Sequence, residues 1–463
     1  ETELSHTGYD EIALMSLSAT DYPELEALTT TLAQKLESRR VSINLPSLRP
    51  GSVSPSLLDA VKRLRNSGLT IAPEAGTELL RLFIRKDFPD AAIYDTSRLA
   101  FERGWMTIKL YFMIGLPTET DDDVIGIANI CRAVSRIGQE FPGRRTINVT
   151  LSPFIPQPHT PFQWDEMLPR EQFEERIALV KRNLRVNNVN LKINHPNLSI
   201  YAAIVGRGGR SMSDVIETAF RGGCRFEGWT EEFKFDLWID ALRQHGHDPA
   251  TALRAIPFST SLPWSHIEKG VSVDHLMAER QRTSAQLMDF TPHTAPPVSD
   301  DSGESSLEFG RGKKKVASRN LAAPTKNRVR IRWGKTPRYR YMSHLDNLRL
   351  LERAIRRARI PVAYSQGFNP SMKLSFGPPL PLGFTSAAEY VDITLEVNLM
   401  PYMIDALRRT LPEGITLDDA RIVLGKSASL SAALNRVEYT VPVDCWNDRD
   451  ALQKDIDKIM ASE

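Results

Sequence analysis

The chain has 463 residues, 41% hydrophobic and 25% charged, with 59 Lys and Arg against 57 Asp and Glu for a formal net charge of +2. These values are those of an ordinary soluble globular protein, long enough for two or three domains, and they favour no particular charged partner. No apolar run approaches the roughly 18 residues that a membrane-spanning helix needs, and the opening residues do not read as a secretory signal.

Three cysteines, Cys131, Cys224 and Cys445, stand far apart. So sparse and odd a set forms neither a disulfide framework nor a close-spaced metal group, and a reducing cytoplasm is expected. The sequence starts at Glu1 and stops at Glu463 inside a stretch that reads as helix, so a fragment cut at both ends is expected.

From the start to about residue 200, short apolar runs alternate with amphipathic stretches. Strands are predicted at Glu11–Ser16, Val41–Leu45, Leu69–Ala72, Thr107–Ile114, Ile147–Phe154 and Asn190–Asn194. Helices are predicted at Pro23–Ser38, Ser54–Ser67, Ala91–Arg103 and Asp121–Phe141. This βα repeat implies parallel strands covered by helices, as an α/β barrel or an open doubly wound sheet. Residues 201–290 read as a helical extension, clearest at Ser213–Ala219 and Glu231–His245. Over 291–327 the composition turns to Pro, Ser, Asp, Gly and Lys, which predicts a disordered linker. A smaller α+β domain is expected over 328–463. It has a strand at Val329–Trp333, a basic helix at about Leu345–Arg359, a strand at Tyr390–Val397 and a helix at Met400–Thr410.

Barrel chemistry sits at the carboxyl ends of strands, and in this chain those ends carry the unusual residues. Tyr111–Thr120 runs from an apolar strand through Gly115-Leu116-Pro117 into an Asp-rich helix start that Thr120 can cap. Gly115 would let a flat ligand approach the backbone beside Ile114 and Leu116; a plain βα turn explains the segment equally well. Ala72–Glu78 places Glu74 at a strand end, where a carboxylate accepts ribose hydroxyls or caps a turn. Prolines fix an extended loop over Leu151–Phe162, in which His159 reads as a hydrogen-bonded structural residue. Ser16, Ser18, Ser47 and Arg49 bring hydroxyls and a cation to two further strand ends.

In this order, the segments resemble the radical S-adenosylmethionine superfamily, closest to its cobalamin-binding branch whose members are often fused to a radical-SAM-linked domain. The phrases that carry the likeness are Thr7–Glu11, Ser16-Leu17-Ser18, Leu45–Arg49, Ala72–Thr77, Lys109–Thr120, Pro158–Trp164, Phe226–Trp229 and Leu262-Pro263-Trp264, across about residues 1–285. The resemblance implies a [4Fe–4S] cluster on a CxxxCxxC loop, S-adenosylmethionine bound at its open iron, and a 5′-deoxyadenosyl radical. By position, Ser16 and Ser18 would lie near the methionyl amine, and Ser47 and Arg49 near the carboxylate or ribose. Glu74 would contact the ribose or the amino acid, Ile114, Gly115 and Leu116 would pack on adenine, and the Phe154–Pro156 loop would close the pocket. The CxxxCxxC loop is absent from the sequence, so the expectation is truncation before the cluster strand and any cobalamin domain, leaving a fragment inactive in radical chemistry.

Residues 328–463 resemble the radical-SAM-linked domain in Tyr341–Asp346, Arg353–Ala358, Tyr364–Pro370 and Pro379–Gly383. Ser343 or Asp346 is expected to cap the basic helix. Its Arg349, Arg353, Arg356 and Arg357, with Lys373 and nearby aromatics, suit RNA. A solvated charged face explains them equally. Two further readings stand beside the radical enzyme. One is a non-catalytic RNA-binding or scaffold protein with a degenerate barrel; the other is an aldolase-type barrel using Lys109 or Glu74.

Overall fold

The computed structural model describes residues 2–16, 19–45, 48–62, 68–286, 327–366, 370–425, 428–440 and 449–461. The chain divides into two compact units, one of Asp10–Gly312 and one that joins Glu1–Tyr9 to Lys313–Glu463.

A short helix, α1 (Thr2–Thr7), opens the chain and packs in the second unit. The first unit then alternates strand and helix. Its elements are β1 (Glu11–Ala13), α2 (Leu25–Glu37), β2 (Ser42–Asn44), α3 (Pro55–Lys62), β3 (Leu69–Glu74), α4 (Glu78–Phe83), α5 (Asp90–Glu102), β4 (Thr107–Ile114), α6 (Asp121–Gln139), β5 (Thr146–Pro153), α7 (Arg170–Asn183) and β6 (Val189–Ile193). Strands β1 and β2 pair in parallel, as do neighbours in the order β3-β4-β5-β6. A parallel bridge from Leu48 to Ile71 links the two groups. The α/β expectation therefore holds. α6 starts where the sequence placed it, because Thr120 and Asp123 form a reciprocal capping box.

Helices α8 (Pro196–Arg207), α9 (Met212–Arg221), α10 (Phe235–Gln244) and α11 (Pro249–Leu253) share one apolar core with the sheet. Ile200, Ile204, Val215, Trp238 and Leu242 lie in the same cluster as Ile108, Leu110, Val149 and Leu151. α12 (Val273–Gln286) closes a smaller cluster of Trp164, Leu262, Trp264 and Leu276. No helix among the described residues is long and apolar enough to cross a membrane. The expected linker lies outside the described residues, except for Asn327.

The second unit contains β7 (Asn327–Lys335), α13 (His344–Arg357), β8 (Leu374–Phe376), β9 (Ser386–Leu395), α14 (Pro401–Thr410), β10 (Ile415–Val423), α15 (Leu430–Ala433) and α16 (Arg449–Met460). Its antiparallel sheet has the order β10-β7-β9-β8. Alternation along β7 buries Val329, Ile331 and Trp333 in a core with Leu351 and Ile355 of α13 and Leu407 of α14. Ser343 caps α13 in a second capping box with Asp346.

Candidate active site

Along β4 (Thr-Ile-Lys-Leu-Tyr-Phe-Met-Ile) and β5 (Thr-Ile-Asn-Val-Thr-Leu-Ser-Pro), alternate side chains face opposite sides of the sheet. Ile108, Leu110, Phe112 and Ile114, with Ile147, Val149 and Leu151, are buried on one side. Lys109, Tyr111, Met113, Asn148, Thr150 and Ser152 keep solvent access on the other. The register makes rows of these residues. Thr70, Lys109, Asn148 and Asn190 form one row, Tyr111, Thr150 and Lys192 the next, and Met113 and Ser152 the last. Parallel sheets are usually covered by helices on both faces and apolar throughout. This sheet keeps one face polar. Asn190 Nδ2 donates to Asn148 Oδ1 at 3.0 Å and Asn194 Nδ2 to Ser152 Oγ at 2.8 Å, so amides and hydroxyls bridge neighbouring strands.

At the carboxyl end of the sheet the backbone departs from ordinary geometry. Glu74 ends β3 at φ 67°, Thr118 follows β4 at 68° and His159 follows β5 at 59°. Non-glycine residues in this left-handed region cost roughly 1–2 kcal/mol each, and such outliers concentrate at functional sites. Lys86 Nζ holds Glu74 by donating to its Oε1 at 3.1 Å and to Ala72 O at 3.0 Å. The Glu74 side chain is 24% exposed, so its carboxylate stays open to a ligand.

The turn after β4 is built around Gly115 at φ 82°, where a Cβ would stand 2.5 Å from Phe173 Cε1. The Gly115 amide donates to Glu119 Oε2 at 2.7 Å, and Arg176 Nε on α7 donates to the same oxygen at 2.8 Å. Burial pushes the Glu119 carboxyl up to about 7, outweighing the Gly115 amide and the Arg176 charge that pull the other way. Beneath the Glu74 loop, Gly76 and Gly126 of α6 bring two backbones into contact. Thr77 caps α4 and hydrogen-bonds Asp123. The fully buried Arg81 ties Ala75 O, Phe88 O and Asp90 together.

Of the residues expected at the site, the structure brings Glu74, Ile114, Gly115, Leu116, Phe154 and Pro156 to this one end of the sheet. Ile114 is part of the main core, while Leu116 and Phe154 pack with Ala75, Leu80 and Phe83. Ser16 and Arg49 are exposed, Arg49 donating to Asp87 O at 3.1 Å. Ser18 and Ser47 lie outside the described residues. His159 borders a cavity of about 390 Å³ with Gln163, Trp264 and Ile267. Its backbone amide donates to Gln163 Oε1, which also accepts from Trp264 Nε1. The polar rows, Lys86, Glu119 and Arg176 went unread in the sequence, although strict polar–apolar alternation in β4 and β5 signals the rows.

The thiols do not fit an iron–sulfur cluster. Cys131 and Cys224 are buried and free, Cys445 lies outside the described residues, and among the described residues no three His, Cys, Asp or Glu are grouped to hold a metal. The carboxylate, amide and hydroxyls at the strand ends do fit the ribose and amino-acid groups of S-adenosylmethionine.

Residues 2–131 match the radical SAM superfamily, and residues 328–463 match DUF2344, described as an uncharacterized protein conserved in bacteria. The radical SAM match thus ends within α6, before β5 and β6. An uncharacterized protein of Methanocaldococcus jannaschii is 31% identical over 208 residues, which are 45% of this chain and 44% of that protein. The chain therefore covers less than half the length of this relative.

Proposed function

We propose that this chain, with its radical SAM superfamily domain over residues 2–131, binds S-adenosylmethionine at the carboxyl ends of β3–β5 and holds a polar substrate on the open face of the sheet. The observation that carries this reading is the single polar face of an otherwise helix-covered parallel sheet. Glu74 accepts hydroxyl or ammonium protons of the cofactor, with Lys86 fixing its rotamer. Ser152 and Asn194 supply neutral donors and acceptors beside it. Tyr111, Thr150 and Lys192 present the substrate's side.

The family's chemistry needs a [4Fe–4S] cluster, and the cysteines of residues 1–463 do not supply its site. The side chains of this sheet therefore bind and orient, and no radical step is assigned to them. Cobalamin use rests on the sequence phrases only.

Saturation-transfer NMR on the whole chain reads ligand contacts even at millimolar affinity. Transfer to the ribose protons of S-adenosylmethionine is expected, with loss in Glu74→Ala and retention in Lys269→Ala. No transfer at millimolar cofactor, or transfer unaffected in Glu74→Ala, defeats the reading. Sequencing the coding DNA upstream of the Glu1 codon tests the source of the thiolates. A CxxxCxxC triad there supports a radical enzyme; its absence removes the radical step.

A further inference from the structure

The second unit exposes large side chains that its core does not use. Tyr341 is 68% exposed, Leu345 61% and Phe384 45%. Gly383 N donates to Arg340 O at 2.8 Å and so fastens the Leu382–Phe384 turn beside Tyr341, with Leu345 four residues further on in the first turn of α13. The Arg340 guanidinium stands 4.7 Å from the Tyr341 ring centroid, and Phe384 makes an edge contact with Tyr439 at 6.4 Å. Arg349 follows Leu345 by one helical turn on α13. Exposed apolar patches of this kind mark interaction sites.

Charge names the partner. Residues 328–463 carry 20 Lys and Arg against 16 Asp and Glu, a net +4, whereas residues 1–327 carry 39 against 41, a net −2. Arg340 belongs to the patch through Tyr341, and Arg338 precedes it by two residues in the same turn. Arg338 has an exposed pair with Glu413 at 3.3 Å, a contact that holds it weakly and leaves it available to a phosphate. Two arginines of α13 are committed to backbone carbonyls within the unit. Arg353 donates to Thr7 O at 2.8 Å, and Arg357 donates to Thr410 O.

Aromatic rings set among guanidinium planes stack unpaired bases, while the cations take the phosphates. RNA presents unstacked loops and ends, whereas cellular DNA is mostly paired. We infer that the second unit binds single-stranded RNA across the surface of Arg338, Arg340, Tyr341, Leu345 and Phe384.

Fluorescence anisotropy of the whole chain with a labelled oligouridylate of about twelve nucleotides tests this, a length within the site sizes of single-strand binders. Saturable binding is expected. Tyr341→Ala with Phe384→Ala should weaken it at least tenfold, the loss of stacking for one or two bases. Arg338→Gln with Arg340→Gln should reduce the slope of log affinity against log salt by about 1.4. Circular dichroism should be unchanged in both double variants, since the side chains are exposed. Absence of binding, or affinity and salt slope equal to wild type in both variants, overturns the inference. So does equal affinity for oligothymidylate. A patch that instead mediates self-association, abolished by the aromatic pair without any RNA binding, overturns it as well.

Discussion

Replacing Gly115 by Ala sets two costs on one residue. At φ 82° an alanine is in the left-handed region, worth about 1 kcal/mol, and its Cβ would lie 2.5 Å from Phe173 Cε1 and 3.0 Å from Leu168 Cδ1. Overpacking of this kind costs roughly 1–3 kcal/mol, so about 3 kcal/mol in all is expected. Gly143 supplies the control. Its φ is 88°, yet the nearest atom to an added Cβ is Met106 Cε at 3.6 Å, so Gly143→Ala should cost only about 1 kcal/mol. Gly76→Ala isolates the other component. Its Cβ would sit 2.0 Å from Asp123 O and 2.5 Å from Ile127 N, both backbone atoms of α6, so the loop and the helix must separate. Native-state hydrogen exchange of the β4 amides reads these costs in the unit concerned, at about tenfold per 1.4 kcal/mol. Gly115→Ala should speed exchange by roughly a hundredfold and Gly143→Ala by roughly fivefold. Equal acceleration in the two variants would refute the packing of the Gly115 turn against Phe173 of α7.

Glu119 predicts a pH signature. Its folded carboxyl, near 7 against an ordinary 4.5, binds its proton more tightly than in the unfolded chain. Its contribution is therefore complete below about pH 4.5 and is lost as pH rises through 7, a span worth roughly 3 kcal/mol. The urea midpoint of Glu119→Gln should lack this loss relative to the natural chain; parallel pH profiles would contradict it. Arg81→Ala should cost about 3–5 kcal/mol by stranding the carbonyls of Ala75 and Phe88 and the Asp90 carboxylate, and Arg81→Lys should not rescue it because no ammonium spans all three. The two sheet faces should differ in denaturant titrations. Phe112→Ala should cost about 3–5 kcal/mol, while Tyr111→Ala on the open face stays within about 0.5 kcal/mol.

Much of this arrangement is legible in the sequence wherever the cause is local. The span of β4 and the start of α6 follow from apolar periodicity and the Thr120–Asp123 pair, and the start of α13 from Ser343 and Asp346. α7 also carries a readable pattern, with Phe173, Ile177 and Val180 on one face, though its many charges obscure it. What escapes is whatever distant residues assemble. Glu119 reads as one more acid in an acidic turn until Arg176, 57 residues on, closes over it. Arg81 looks like a surface cation on a short helix, and its complete burial depends on a loop folding back through Phe88 and Asp90. Strand β10 is hidden by Asp418 and Asp419, where a register shift between Leu417 and Asp419 breaks the alternation.

The second unit takes α1 from a segment far earlier in the sequence. Arg353 on α13 donates to Thr7 O across 346 residues of sequence, its guanidinium stands 4.2 Å from the Tyr9 ring centroid, and a Cβ on Gly8 would collide with Arg353 O. During synthesis, α1 leaves the ribosome more than three hundred residues ahead of α13 and waits for it over that interval. The second unit can reach its full set of contacts only after the first has had time to fold. Closing so long a loop adds only slowly to the entropy cost, so the delay is kinetic rather than energetic. Leu4, buried in the finished structure, is a surface that a chaperone could hold in the interval.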